Sequence, residues 1–207
     1  MSDTECPSAF RTTTRRYHEA FLSSRRLQPC LIEGGLPFER VSITRDKRTA
    51  DGRDFLSLNP HGFVPTLELD DGIVLTEALA NLVYIAERTG KLLPKDGPIR
   101  WHAIEALSFM TTELHGDFKP LWKRAPEGEQ SAAKQLLTQH FAVLALQLGD
   151  KPFVTGNVIT VADPYLFVML RWADKHHIDV PRRLNAYLER MQKVASVARA
   201  LAEEGLG

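Results

Sequence analysis

Two short stretches carry groups able to hold an anionic, peptide-like ligand. Val64-Pro65 lies in a turn-rich run, and a cis bond there would free the Val64 N–H and C=O to pair with an extended ligand as an added strand. Further along, Glu77-Ala78 opens a helix whose first N–H groups lack intrahelical partners and whose dipole end is positive, which favours a carboxylate. One feature reads backbone, the other charge. The same residues also read as a proline in an edge turn and an ordinary capped helix, and residue type leaves both readings open.

Both stretches fall within residues 59–80, NPHGFVPTLELDDGIVLTEALA. Asn59-Pro60 and His61-Gly62 are turn dipeptides, and the run from Thr66 to Leu69 alternates as a half-buried strand does. Asp71-Gly72 suits a tight hairpin, with Ile73, Val74 and Leu75 as the return strand. Thr76 is placed to cap a helix carrying Leu79, Leu82, Val83 and Ile85 on one face, with Arg88 and Gly90 as its stop. Upstream, LIEGGLPFERVSI reads as a helix end, a Gly34-Gly35 stop and a strand with Phe38, Val41 and Ile43. Residues 1–29 are polar and basic, with Arg25-Arg26 near their end, and show no apolar strand of ordinary length.

Beyond the Pro/Gly-containing LLPKDGP the strand signals stop. Ile99, Ile104, Leu107, Met110 and Leu114 predict a long helix ending near Pro120. A second runs over 131–148 with Leu136, Leu137, Phe141 and Leu144 inward. TVADPYLFVMLRWA is the most apolar helix and the expected centre of this half, and Pro181 opens another with Leu184, Tyr187 and Met191. Thr160 to Asp163 has the form of a capping box, a folding signal.

The 207 residues, 43% hydrophobic, suffice for a sizeable core in one large or two small domains. Basic and acidic side chains balance at 26 each, so net charge supplies no attraction to nucleic acid or an anionic membrane, and no apolar run approaches a membrane span. The start of the chain lacks the apolar core of a secretory signal, which makes a cytoplasmic location the expectation. Cys6 and Cys30 do not form C-x-x-C, so neither dithiol chemistry nor a structural zinc site is expected. G-x-S-x-G, P-loop, H-E-x-x-H and dinucleotide glycine motifs are absent.

The order of parts, with LNPHGFVPTLELDDG and LTEALA, TTELHGDF and VADPYLFVMLRWA, resembles the soluble glutathione transferases, most closely the bacterial beta class. That resemblance implies an α/β plus all-α chain: a thioredoxin-like, glutathione-binding domain over 1–90 and an all-helical domain over 97–207. It also implies a homodimer that conjugates glutathione, as co-substrate and without a metal, to small hydrophobic electrophiles, with no nucleic-acid or membrane partner.

Carried onto this chain, the resemblance gives Val64, before Pro65, the pairing with the cysteinyl part of glutathione. Glu77 takes the ammonium and Ala78 the carboxylate of the γ-glutamyl end, while Lys47 faces the glycine carboxylate. His115 matches a histidine near the thiol, and Trp172 an aromatic near the electrophile pocket, though an aromatic in so apolar a helix also reads as core. Ser108 fills a slot where the family usually has asparagine, a shorter hydrogen-bonding group. The family's first strand and thiol-contacting turn are not visible in 1–29. Ungapped counting back from Gly35 puts Ser23 in the turn's catalytic slot, with Ser24 beside it and Tyr17 as another hydroxyl. Two rivals remain: a non-catalytic protein of the same fold that has lost the turn, and a mixed-disulfide reductase using Cys30.

Overall fold

A computed structural model describes residues 14–18 and 26–205. Four strands form one mixed sheet in the order β2-β1-β3-β4: β1 Thr14–His18, β2 Phe38–Ser42, β3 Thr66–Glu68 and β4 Val74–Leu75. β1 runs parallel to β2, with Thr14 opposite Phe38, and antiparallel to β3, with Tyr17 opposite Thr66. Between β1 and β2 lies helix α1, Leu27–Gly34; after β4 comes α2, Ala78–Thr89. This is the thioredoxin-like arrangement expected.

The polar run at the start of the chain does contain the first strand, contrary to the sequence expectation. An apolar pattern is missing because the inward positions of β1 are polar: Thr14 is 8% and Arg16 1% exposed. Arg16 is received by a buried network instead. Its Nη2 donates to Gln28 Oε1 at 2.7 Å and lies 3.7 Å from a Glu204 carboxylate oxygen, while Gln28 Nε2 donates to Glu203 at 2.7 Å. Burial lowers the Arg16 pKa to about 10, with Glu204 opposing that fall, so the guanidinium stays charged at neutral pH.

α1 ends where the paired glycines predict, with Gly35 at φ 73°. Gly34 permits close approach of α2: a methyl there would meet Thr89 Cγ2 at 2.7 Å. α2 stops at Gly90, but its cap is Glu77 rather than Thr76 and no side chain closes that end. Leu82, Ile85 and Ala86 form its buried stripe, each large side chain contributing about 1.5–3 kcal/mol of burial.

The second half is helical: α3 Gly97–Phe109, a π-helical segment Met110–Leu114, α4 His115–Asp117, α5 Lys119–Trp122, α6 Glu127–Leu148, α7 Ala162–Lys175, α8 Arg182–Gln192 and α9 Ala195–Glu203. The predicted first long helix is thus interrupted, and the second begins at Glu127 rather than at residue 131. Leu136, expected inward, is 40% exposed, whereas Leu137, Phe141 and Leu144 are buried. α7 is buried through nearly its whole length, as its composition predicts. The core is continuous across the two halves, running from Leu27, Leu31 and Leu82 into Leu107, Phe141 and Trp172.

The buried carboxylate of Asp163 fastens α7 to its surroundings. Oδ1 accepts from the Val154 N–H at 2.8 Å and the Tyr187 hydroxyl at 2.8 Å; Oδ2 accepts from the Thr160 N–H at 2.7 Å and hydroxyl at 3.0 Å. Only half of a capping box is therefore made, since the Asp163 N–H goes to the Thr160 carbonyl. Pro164 falls in the first turn, where its missing N–H costs nothing.

Candidate functional site

The turn before β3 is built around Asn59, which is fully buried. Its Nδ2 donates to the Phe63 carbonyl at 2.8 Å and to Thr66 Oγ1 at 3.1 Å, and its Oδ1 accepts the His61 N–H at 3.1 Å. One side chain thus clamps both ends of the turn. Gly62 takes φ 67°, and a Cβ there would sit 3.7 Å from Lys47 Cε, so the Lys47 side chain lies against this turn. Lys47 itself has φ 60°, uncommon for a residue with a Cβ.

The Val64-Pro65 bond is cis. No described residue bonds the Val64 N–H or C=O, so both remain available to a ligand. Asn81 Nδ2 donates to the Pro65 carbonyl at 3.4 Å and so ties this segment to the first turn of α2. At that helix start Glu77 is exposed and its side chain makes no hydrogen bond or ion pair with a described residue, while Ala78 is buried. The structure therefore brings Lys47, Val64, Glu77 and Ala78 onto one scaffold fixed by Asn59 and Asn81. Neither asparagine was singled out by spacing; Asn59 announced itself only as a turn former.

A second cluster forms where the start of α1 meets the helical half. His115 lies with its ring centroid 5.1 Å from that of Trp122 and 5.5 Å from that of Trp172. Trp172 is only 2% exposed and is packed edge-on to Trp122 and Phe118, at centroid distances of 4.7 and 5.4 Å. Arg26, just ahead of α1, stacks its guanidinium 4.3 Å from the Tyr165 ring centroid and 4.8 Å from that of Trp172. Its Nη1 donates to the Tyr165 hydroxyl at 2.9 Å. The charge of Glu77 acts on that same Tyr165 hydroxyl, which couples the helix start of α2 to this cluster. Arg26 and Tyr165 are functional candidates that sequence reasoning passed over: Arg26 stood only as part of the Arg25-Arg26 pair in a polar, basic segment, and Tyr165 within the most apolar helix.

Burial lowers the His115 pKa to about 3, with further lowering from the Arg26 and Lys119 charges. His115 is thus a neutral imidazole at physiological pH and can donate or accept one hydrogen bond per nitrogen. Because its folded pKa lies below the ~6.5 of an unfolded histidine, the unfolded chain takes the proton first. Stability is therefore retained above that value and lost as pH falls toward 3. In urea titrations between about pH 6.5 and 4.5 we expect His115→Phe to lose up to ~1.4 kcal/mol per pH unit of the parent protein's slope, and equal slopes would refute the assignment.

Ser108 is half-buried in α3, and its carbonyl accepts the hydroxyls of Thr111 at 2.8 Å and Thr112 at 3.1 Å. The π-helical turn between it and His115 rotates α4 by roughly a quarter turn relative to an unbroken α-helix. Periodicity alone could not have placed the two residues relative to each other. Ser23 and Ser24 lie outside the described residues, and of Tyr17 the structure gives the backbone position in β1. Cys30 is wholly buried in α1, and burial pushes its thiol pKa up, so it is not a ready nucleophile. Among the described residues no group of three or more His, Cys, Asp or Glu side chains could hold a metal, and no helix is long and apolar enough to cross a membrane.

Comparison with known proteins agrees with this geometry. Residues 23–88 match the glutathione S-transferase N-terminal domain family and residues 105–190 the glutathione S-transferase C-terminal domain family. The chain is 36% identical over 183 residues to glutathione S-transferase GstA of Escherichia coli O157:H7, covering 85% of this chain and 91% of that one. Among solved structures, a sphingomonad glutathione S-transferase complexed with glutathione is 35% identical, with a TM-score of 0.85 over 93% of this chain and all of that one. The beta-class enzyme of Sphingomonas chungbukensis is likewise 35% identical, with a TM-score of 0.83 over 93% of this chain and all of that one.

Proposed function

The chain belongs to the glutathione S-transferase family, and we propose that it conjugates glutathione, through its thiol sulfur, to small hydrophobic electrophiles. The observation that carries this reading is the pairing of an unused Val64 backbone with the exposed Glu77 at the start of α2, held together by Asn81. Val64 would pair with the cysteinyl unit as a short added strand. Glu77 would take the α-ammonium, and the N–H groups at Ala78 the neighbouring carboxylate. Lys47, lying along the same turn, is positioned for the glycine carboxylate. Ser108 is assigned to the glutathione wall and Trp172 to the electrophile side, while Ser23 remains the candidate hydroxyl for the thiol.

In this reading the glutathione-binding domain spans 1–90 and the helical domain 97–207. A glutathione thiol with an ordinary pKa near 8.5 becomes reactive as its thiolate. Its proton passes to water and a sulfur–carbon bond forms; in a substitution the leaving group departs with the electron pair of its bond to that carbon, and in an addition the electron pair of the double bond moves to the neighbouring carbon, which takes a proton from solvent. We also propose a homodimer. Phe63 is 74% exposed beside the glutathione turn and Trp101 65% exposed on α3, and pairing would remove both from water.

The non-catalytic reading rested on loss of the thiol-contacting turn, which lies outside the described residues, whereas the first strand, also missed in the sequence, is present as β1. The buried Cys30 speaks against a mixed-disulfide reaction. Titration calorimetry with glutathione should give micromolar-to-millimolar affinity, and a generic aryl halide should be conjugated at a rate above the uncatalysed one. Absence of glutathione binding would overturn the proposal.

A further inference from the structure

Arg26 is 1% exposed, yet its Nε and Nη2 have no hydrogen-bond partner, and no carboxylate among the described residues pairs with it. Stacking on Tyr165 and Trp172 returns only part of the cost of burying a cation, because the desolvation of a guanidinium exceeds what one or two ring faces offset. A buried guanidinium kept for packing alone would be replaced without loss by an apolar side chain. The groups around it share its deficit. The indole nitrogens of Trp172 and Trp122, whose rings meet at 4.7 Å, are also buried without an acceptor. This corner of the molecule thus offers four nitrogens with N–H groups to give and, among the described residues, nothing to receive them.

Donors without acceptors, one of them charged, fit an anion. We propose that Arg26, with the Trp172 and Trp122 indoles, forms an anion-holding site at the junction of the two domains that stabilises the negative charge of the transferase reaction. The anion has two possible sources with the same chemistry: the thiolate sulfur of glutathione, or an acceptor oxygen such as a carboxylate on the electrophile. Arg26 directly precedes α1, so that helix's N-terminal dipole adds to its charge. The titratable and charged neighbours are few. Tyr165 on α7 accepts from Arg26, Glu77 acts through Tyr165, neutral His115 on α4 faces it, and Lys119 acts through His115.

The inference rests on the transferase reading, and the experiment separates the two. Calorimetry first establishes that the full-length parent protein binds glutathione; failure there would sink both. The thiol pKa of bound glutathione is then read from ultraviolet thiolate absorbance across pH for the parent, Arg26→Gln, Arg26→Lys and Trp172→Phe, with thermal melts confirming that each is folded. If the sulfur is the anion, Arg26→Gln should raise the bound thiol pKa by about one unit, cutting the thiolate fraction about tenfold at pH well below that pKa. Arg26→Lys should restore part of it, and Trp172→Phe should give a smaller rise.

If instead the anion belongs to the electrophile, the thiol pKa should stay put. The Arg26→Gln variant would then lose about tenfold in affinity for a carboxylate-bearing aryl conjugate of glutathione while binding an uncharged aryl conjugate as the parent does. Should Arg26→Gln fail to fold, Arg26→Lys and Trp172→Phe carry the same two readouts. Glutathione binding with unchanged thiol pKa and unchanged preference for the charged conjugate overturns the inference.

Discussion

Asp163→Ala should melt roughly 10 °C below the parent protein, a loss of about 3–5 kcal/mol. The carboxylate is buried and receives four hydrogen bonds, two from the backbone N–H groups of Val154 and Thr160 and two from the Thr160 and Tyr187 hydroxyls. Burial raises its pKa, and all four donors work against that rise. Hydroxyls can turn to other acceptors, but the two N–H groups cannot, and each one left unpaired and buried costs about 1–3 kcal/mol. Asp163→Asn is the sharper test. One backbone N–H points at each carboxylate oxygen, so an amide must set its own NH2 against an N–H whichever way it flips. The isosteric change should therefore cost nearly as much as truncation. Melting of Asp163→Asn within about 2 °C of the parent would show that the network does not fasten α7.

The contrast between Asp163 and Arg16 explains what the sequence disclosed. Asp163 stands in a stretch whose apolar side chains bury α7 nearly all round, and the polar residue announces itself as a cap because it is local: three of its four bonds come from residues within ten positions. Arg16 is satisfied by Gln28 and by the far C-terminal Glu204, and no window of sequence around β1 contains that information. The strand was invisible for that reason, although Thr14 and Arg16 are buried and Arg15 between them is less so.

Arg26 is the same case across the domain junction, resting on Tyr165, which is 139 positions away. The hairpin, Pro65, and the helix start at Ala78 were legible because turn chemistry and strand alternation are short-range. The Glu77 cap was misassigned to Thr76 because neither side chain closes the helix end, which leaves no local signal to choose between them. The π-helical turn before His115 has no marker either, since it adds a residue without breaking the apolar face.

Glu77→Ala should weaken glutathione binding roughly 10- to 100-fold while leaving the melting temperature unchanged, which calorimetry and a thermal melt will read together. The fold should not notice the change. Glu77 is exposed, its side chain makes no hydrogen bond or ion pair with a described residue, and it lends α2 no side-chain cap. The ligand should notice it, because a carboxylate facing an ammonium at a positive helix end is the one negative group on that scaffold able to offset the substrate's cation. Lost affinity of this kind is made equally in the ground and transition states, so KM for glutathione should rise while kcat holds. The assignment to the ammonium can be isolated with a glutathione analogue in which hydrogen replaces the γ-glutamyl amino group. Parent and Glu77→Ala should bind that analogue alike, since each of the two changes removes the same interaction. If the variant instead loses as much affinity for the analogue as for glutathione, Glu77 acts on some other part of the ligand or on the loop, and the orientation proposed for the tripeptide is wrong.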